Sequence, residues 1–150
     1  GVVAAGGAGL VLMHMQGAPA TMQAAPHYDD VVAEVRRFLA ARVEFAEAAG
    51  IDRDRIAIDP GIGFGKLLEH NLELLANVAS LRELGLPVIV GPSRKRFIGE
   101  VLGDMGVDRT AGTLGVCAAL ARQGVDVLRV HDVGAAAQML KLYRAVGDGR

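Results

Sequence analysis

Four short apolar runs recur along the chain, and each is followed by a stretch whose apolar positions fall at helical spacing. Leu10–Met13, Ile56–Ile58, Pro87–Val90 and Val125–Val130 are these runs, which read as buried parallel strands. After the first run, Asp29 or Asp30 can cap a helix that presents Val31, Val35, Phe38, Leu39, Val43 and Ala46, with Gly50 as its left-handed stop. After the second, Leu68, Leu72, Leu75, Val78 and Leu81 form one stripe, which predicts a single helix closed by Gly85. After the third, Arg96–Leu102 starts helical, a Gly/Asp break follows, and Thr110–Arg122 resumes. After the fourth, Ala135–Val146 is helical, with Met139, Leu140, Leu142, Tyr143 and Val146 available for packing. The glycine-rich residues 6–9 end a helix that precedes the first strand. Strands alternating with helices predict an α/β fold with a parallel sheet and right-handed crossovers, here one domain of four βα units.

Composition narrows the possibilities. A chain of 150 residues that is 51% hydrophobic and 22% charged can bury a real core and is not disordered. Aromatics are only 4%, so the core must be built from Val, Leu, Ile and Ala. Sixteen basic residues against seventeen acidic ones argue against nucleic-acid or membrane-surface binding by bulk charge. A single cysteine, Cys117, cannot form an internal disulfide, which fits a reducing, cytoplasmic compartment. No apolar run reaches the ~18 residues of a transmembrane helix. The chain opens at Gly1, within an apolar Ala/Gly stretch, which reads as a cut end.

The polar residues gather at the carboxyl ends of the four strands, the rim where parallel α/β folds place their active sites. The first strand runs into Met13-His14-Met15-Gln16-Gly17, and the second ends at Asp59 followed by Pro60-Gly61-Ile62-Gly63-Phe64-Gly65-Lys66. The third ends in Gly91-Pro92-Ser93-Arg94-Lys95-Arg96, and the fourth in Arg129-Val130-His131-Asp132. Asp-Pro-Gly is good turn chemistry, yet three glycines at every second position exceed the need of one turn and let a flat ligand approach the backbone. Asp59 is thus a candidate acceptor for an NH-rich ring. The loop is neither a Walker A motif nor a dinucleotide fingerprint: Pro60 and Leu67 break the first, and Lys66 replaces the third glycine of the second. Phe64 can stack on a ligand ring or anchor its loop.

Ser93-Arg94-Lys95-Arg96 puts three cations where a helix begins, so side-chain charge and helix dipole both favour a carboxylate or phosphate. Arg129 and His131, two apart on an extended strand end, point the same way and suit an anion that offsets their desolvation. Met13 and Met15 are core or pocket wall, Cys117 is an inert small hydrophobe, and His14, His27 and His70 lack the spacing of a metal site.

These four motifs, in this order and spacing, resemble the dihydropteroate synthase family. The resemblance covers nearly the whole chain and implies a (β/α)8 TIM barrel of which residues 1–150 are the last four βα units, a half barrel. It implies condensation of 6-hydroxymethyl-7,8-dihydropterin diphosphate with 4-aminobenzoate, giving dihydropteroate and diphosphate. It assigns Asp59, Lys95 and Met13 to the pterin, Arg129 and His131 to the diphosphate, and Phe64, Ser93 and Arg96 to aminobenzoate; Lys95, Arg129 and His131 carry the catalysis. Mg2+ is implied as well, with ligands from the family's Asn-x-Thr-x-Asp-Ser loop, which these residues do not contain. A homodimer through the last helices and small-molecule partners follow from the same resemblance. Leu67 stands where many members have Thr, with little consequence expected. The alternatives are a methyltetrahydrofolate-type pterin-binding methyltransferase and a non-catalytic half barrel. A half barrel would leave two sheet edges open and expose apolar inner faces, and by itself would be inactive.

Overall fold

The computed structural model describes residues 1–147. A short helix, α1 (Val2–Gly6), turns at Gly7 into strand β1 (Leu10–Met13). The long helix α2 (Val31–Ala48) follows, then a 3₁₀ turn at Arg53–Arg55 and strand β2 (Ile56–Asp59). Helix α3 (Leu68–Ala76), strand β3 (Ile89–Val90), helices α4 (Arg96–Leu102) and α5 (Thr110–Arg122), strand β4 (Val127–Leu128) and helix α6 (Val133–Gly147) complete the order.

All pairings are parallel. Leu10 to Met13 lie opposite Ile56 to Asp59, and Ile89 and Val90 lie opposite Val127 and Leu128. A bridge between Ile58 and Val88, with the Ile58 amide donating to the Pro87 carbonyl at 2.9 Å, joins the two pairs. The strands therefore lie side by side in chain order, as the α/β reading expects.

The later strands are shorter than the apolar runs Pro87–Val90 and Val125–Val130 suggest. Pro87 has no amide to give, and the Val88 amide donates to the Asp126 carboxylate at 2.9 Å instead of a backbone carbonyl. The expected single helix over residues 68–81 also breaks, because α3 stops at Ala76 and a 3₁₀ segment covers Val78–Leu84. Asn77 sits at the break: its side-chain amide donates back to the Glu73 carbonyl at 2.9 Å, and its own carbonyl takes the Ser80 hydroxyl at 2.7 Å. Local side-chain bonding of this kind competes with the helical ladder. In α2 the cap is Asp30, whose carboxylate accepts the Ala33 amide at 2.9 Å while Glu34 reaches back to the amides of Asp29 and Asp30.

The sheet is covered on one face. Leu10, Leu12, Ile56, Ile58, Val88, Val90 and Leu128 join the core formed with Val31, Val35, Leu39 and Val43 of α2, Leu74 of α3, and Leu81. The alternating positions point away from the helices, and Val11 and Val127 stay 52% and 47% exposed. The strands are thus buried on one side only, in contrast to the two-sided burial their apolar character suggests. Helix α6 packs along α5 but buries only Ala136, leaving Leu142 and Val146 68% and 82% exposed. Cys117 is buried, and burial pushes its thiol pKa up, as befits an inert side chain. Among the described residues no helix is long and apolar enough to cross a membrane.

Candidate active site

Every strand delivers its following polar residue to one rim. Asp59 ends β2 and is 5% exposed. One carboxylate oxygen accepts the Gly61 amide at 2.7 Å, so Asp59 initiates the turn that the sequence also allows. Among the described residues no hydrogen bond engages its second oxygen. Burial raises the Asp59 pKa, opposed by the Gly61 amide and by the charges of Lys95, Arg129 and Lys66. One buried carboxylate thus stands among three cations.

The glycines of the following loop serve the protein itself. Gly61, Gly63 and Gly65 all have positive φ, at 68°, 80° and 61°. A Cβ on Gly61 would strike the His14 carbonyl oxygen, and one on Gly65 would lie 2.6 Å from that of Gln16. The close approach expected for a ligand is made at these two positions by the segment after β1. Gly63 faces the Lys95 side chain, 3.3 Å from where its Cβ would lie. Met13, 36% exposed, lies against Gly61 on the uncovered face of the sheet.

Lys95 immediately precedes α4. Its ammonium donates to the Ile62 carbonyl and sits 4.6 Å from the centre of the Phe64 ring. Burial brings its pKa down to about 8, although Asp59 pulls the other way; Arg129 adds to the lowering. Lys95 separates two cavities. One, of about 370 Å³, is lined by Phe64, Lys95, Arg96, Phe97, Asn71 and Gln23 among others. The other, of about 170 Å³, is lined by Gly91, Ser93, Lys95, Arg129, Val130 and His131.

The basic run does not act as one block. Arg94 adopts a left-handed φ of 58°, with its amide on the Thr113 hydroxyl and its carbonyl on Arg109. Arg96 opens outward and pairs with Glu100 at 2.8 Å. Helix α4 has only seven residues, so its dipole adds little, and the cations themselves provide the preference for anions.

Arg129 follows β4, with its amide on the Val90 carbonyl at 2.9 Å. Its guanidinium lies over Gly91, where a Cβ would come 2.8 Å from Nη2, so a side chain there would push the guanidinium aside. Ser93, expected beside Arg96 and Phe64, lines the Arg129 cavity instead, with its hydroxyl 2.8 Å from His131 Nδ1. Asp59, Lys95 and Arg129 are thus mutually close, His131 and Ser93 share the cavity of Lys95 and Arg129, and Phe64 and Arg96 share the cavity on its other side.

Several residues that frame the site escape sequence reasoning. Lys66 is buried, and its ammonium meets three partners: the Gly61 and Phe64 carbonyls, both at 3.0 Å, and His14 Nδ1 at 2.9 Å. Burial and the Lys66 charge bring the His14 pKa down to about 4, and burial brings Lys66 down to about 7 despite Asp59. Tyr28 donates to the Gly65 carbonyl at 2.7 Å, Gln23 to the Gly63 carbonyl at 2.7 Å, and Asn71 accepts the Gly63 amide at 2.6 Å. The only sequence signal was position: His14 and Lys66 each follow the end of one of two adjacent strands. Among the described residues no three His, Cys, Asp or Glu side chains converge as a metal site.

Comparison with known proteins identifies the family. The family model described as "Pterin binding enzyme" matches residues 1–131. The dihydropteroate synthase of Escherichia coli (strain K12) is 45% identical over 134 residues, 89% of this chain and 48% of the relative. The structure of dihydropteroate synthase from Xanthomonas albilineans in complex with 7,8-dihydropteroate superposes with a TM-score of 0.86 at 49% identity, covering 97% of this chain and 53% of that one. The synthase from Thermus thermophilus in complex with 4-aminobenzoate gives 0.90 at 45% identity, covering 97% and 60%. The chain spans about half the length of the curated relatives it matches.

Proposed function

The chain belongs to the pterin binding enzyme family, and on that footing we propose that its residues are half of a dihydropteroate synthase site within a (β/α)8 barrel. The observation that carries this reading is the meeting of Asp59, Lys95 and Arg129 at neighbouring strand ends, between one cavity walled by Phe64 and one walled by His131. Asp59, with one oxygen still able to accept, takes the NH-rich edge of the pterin, Lys95 its polar edge, and Met13 the ring face. Arg129 and His131 hold the diphosphate. Phe64 packs on 4-aminobenzoate, whose carboxylate lies towards Arg96. Ser93, assigned by resemblance to that carboxylate, is better supported on the His131 side.

In the reaction the bond between the pterin methylene carbon and the diphosphate oxygen breaks, and its electron pair leaves with diphosphate. The aminobenzoate nitrogen bonds to the methylene carbon and gives up a proton. Placement and charge neutralisation do the work, and no nucleophilic side chain is needed. Among the described residues no donor set makes a metal centre by itself, so Mg2+ would depend on ligands outside them. The apolar groove of α5 and α6, walled by Leu114, Met139, Leu142 and Val146, supports a homodimer through the last helices. A buried, unpaired Cys117 supports a cytoplasmic setting.

The test is formation of dihydropteroate from pterin diphosphate and labelled 4-aminobenzoate by the gene product that carries these residues. Failure to form it would sink the assignment. In the active protein, Arg129→Ala and Lys95→Ala should each lower kcat/KM at least ~10-fold, about 1.4 kcal/mol of transition-state binding. Transfer of a methyl group from a folate donor instead would favour the methyltransferase reading.

A further inference from the structure

Ser93 is 7% exposed and meets His131 twice, accepting its backbone amide at 3.2 Å and lying 2.8 Å from its Nδ1. A hydroxyl has one proton to donate and two lone pairs. The His131 amide can only donate, so it takes one lone pair of Oγ. The hydroxyl proton must then find an acceptor, and among the described residues Nδ1 is the one within hydrogen-bond distance of Oγ. If Nδ1 carried the proton, it would also have to donate to Oγ. The Ser93 hydroxyl proton would then have no acceptor among the described residues and would have to turn from the ring towards the cavity it lines.

We infer that Ser93 is a positioning residue, holding neutral His131 in the tautomer with Nδ1 bare and the proton on Nε2, so that the ring offers a donor to an anion beside Arg129. The serine bonds tie the ring to the turn after β3, so strand β4 need not fix its orientation alone. Naming the anion as the diphosphate rests on the synthase reading; the tautomer does not. The usual second partner of a histidine, a carboxylate that accepts from a ring nitrogen, is replaced here by a hydroxyl whose own proton is directed at Nδ1.

Nitrogen-15 NMR of the histidine side chains, in wild type, Ser93→Ala and Ser93→Thr, tests this at a pH where His131 is neutral. Wild type and Ser93→Thr should show an acceptor-type Nδ1 and a protonated Nε2, and Ser93→Ala should show a mixture of both tautomers. A protonated Nδ1 in wild type, or a tautomer that ignores Ser93→Ala, would overturn the inference. Amide spectra report whether Ser93→Ala keeps the fold, and Ser93→Thr carries the test if it does not. Inorganic diphosphate, added as the probe, should shift Nε2 in wild type and bind about three- to tenfold more weakly to Ser93→Ala. An Nε2 unmoved by diphosphate would overturn the anion-donor role. Loss of dihydropteroate formation with the tautomer response intact would instead count against the synthase reading alone.

Discussion

The glycine loop after β2 and the segment from β4 into α6 both carry groups of the site, and they are held in opposite ways. Residues 60–66 are fastened by Gln23, Tyr28, Lys66, Asn71 and Lys95, each bonded to the loop backbone. Strand β4 has two residues, Val127 is half exposed, and α6 buries only Ala136. The surface that would accept pterin and aminobenzoate is therefore pre-organised by this chain's own side chains. Arg129 and His131, the pair proposed to hold an anion, stand on a thinner support, beside Gly91 and Ser93. Preorganisation within one site is local, and it follows where buried polar groups find partners.

The contrast predicts a steep gradient of mutational cost. Leu39→Ala, in the core behind β1 and β2, should lose about 2–5 kcal/mol in urea unfolding, whereas Val133→Ala at the start of α6, outside the groove proposed for the dimer, should stay within about 0.5 kcal/mol. A large cost at Val133 would mean that the start of α6 is packed in solution and would break the comparison.

The next effect is on pH dependence. His14 in the folded chain has a pKa of about 4 against an ordinary value of 6.5, so between these values the unfolded chain binds more protons. The stability it contributes is full above pH 6.5 and is lost as pH falls towards 4, on the order of 3 kcal/mol across that window. His14→Asn, which keeps a side-chain acceptor for Lys66, should flatten this slope in denaturation curves taken from pH 7 to pH 4. An unchanged slope would show that His14 does not set this pH dependence. The smallest effect is Tyr28→Phe, which removes only the bond to the Gly65 carbonyl. It should cost about 1 kcal/mol and speed amide exchange in residues 61–66 while leaving that of residues 127–131 unchanged. Equal acceleration in both segments would dissolve the distinction between them.

Much of this architecture is legible in the chain. The boundaries of β1, the end of α2 at Gly50, helices α4 and α5, and the placing of Asp59, Lys95, Arg129 and His131 after successive strands all follow from apolar spacing and turn residues. Three kinds of feature are not legible. The break at Asn77 depends on two local side-chain bonds that an apolar stripe cannot register. The direction taken by each cation of the 94–96 run depends on backbone torsion and on Thr113, Arg109 and Glu100. The buried pairs Lys66–His14 and Ser93–His131 join residues 52 and 38 positions apart.

The sequence alone determined the βα alternation, the parallel sheet and the rim on which the chemistry gathers, because periodicity and turn chemistry act over a few residues. Tertiary structure decided which face of the sheet stays open and which backbone the glycines must clear. It also decided which polar partners meet in the interior. Those outcomes depend on burial, and burial is a property of neighbours brought together by the fold rather than of any residue by itself.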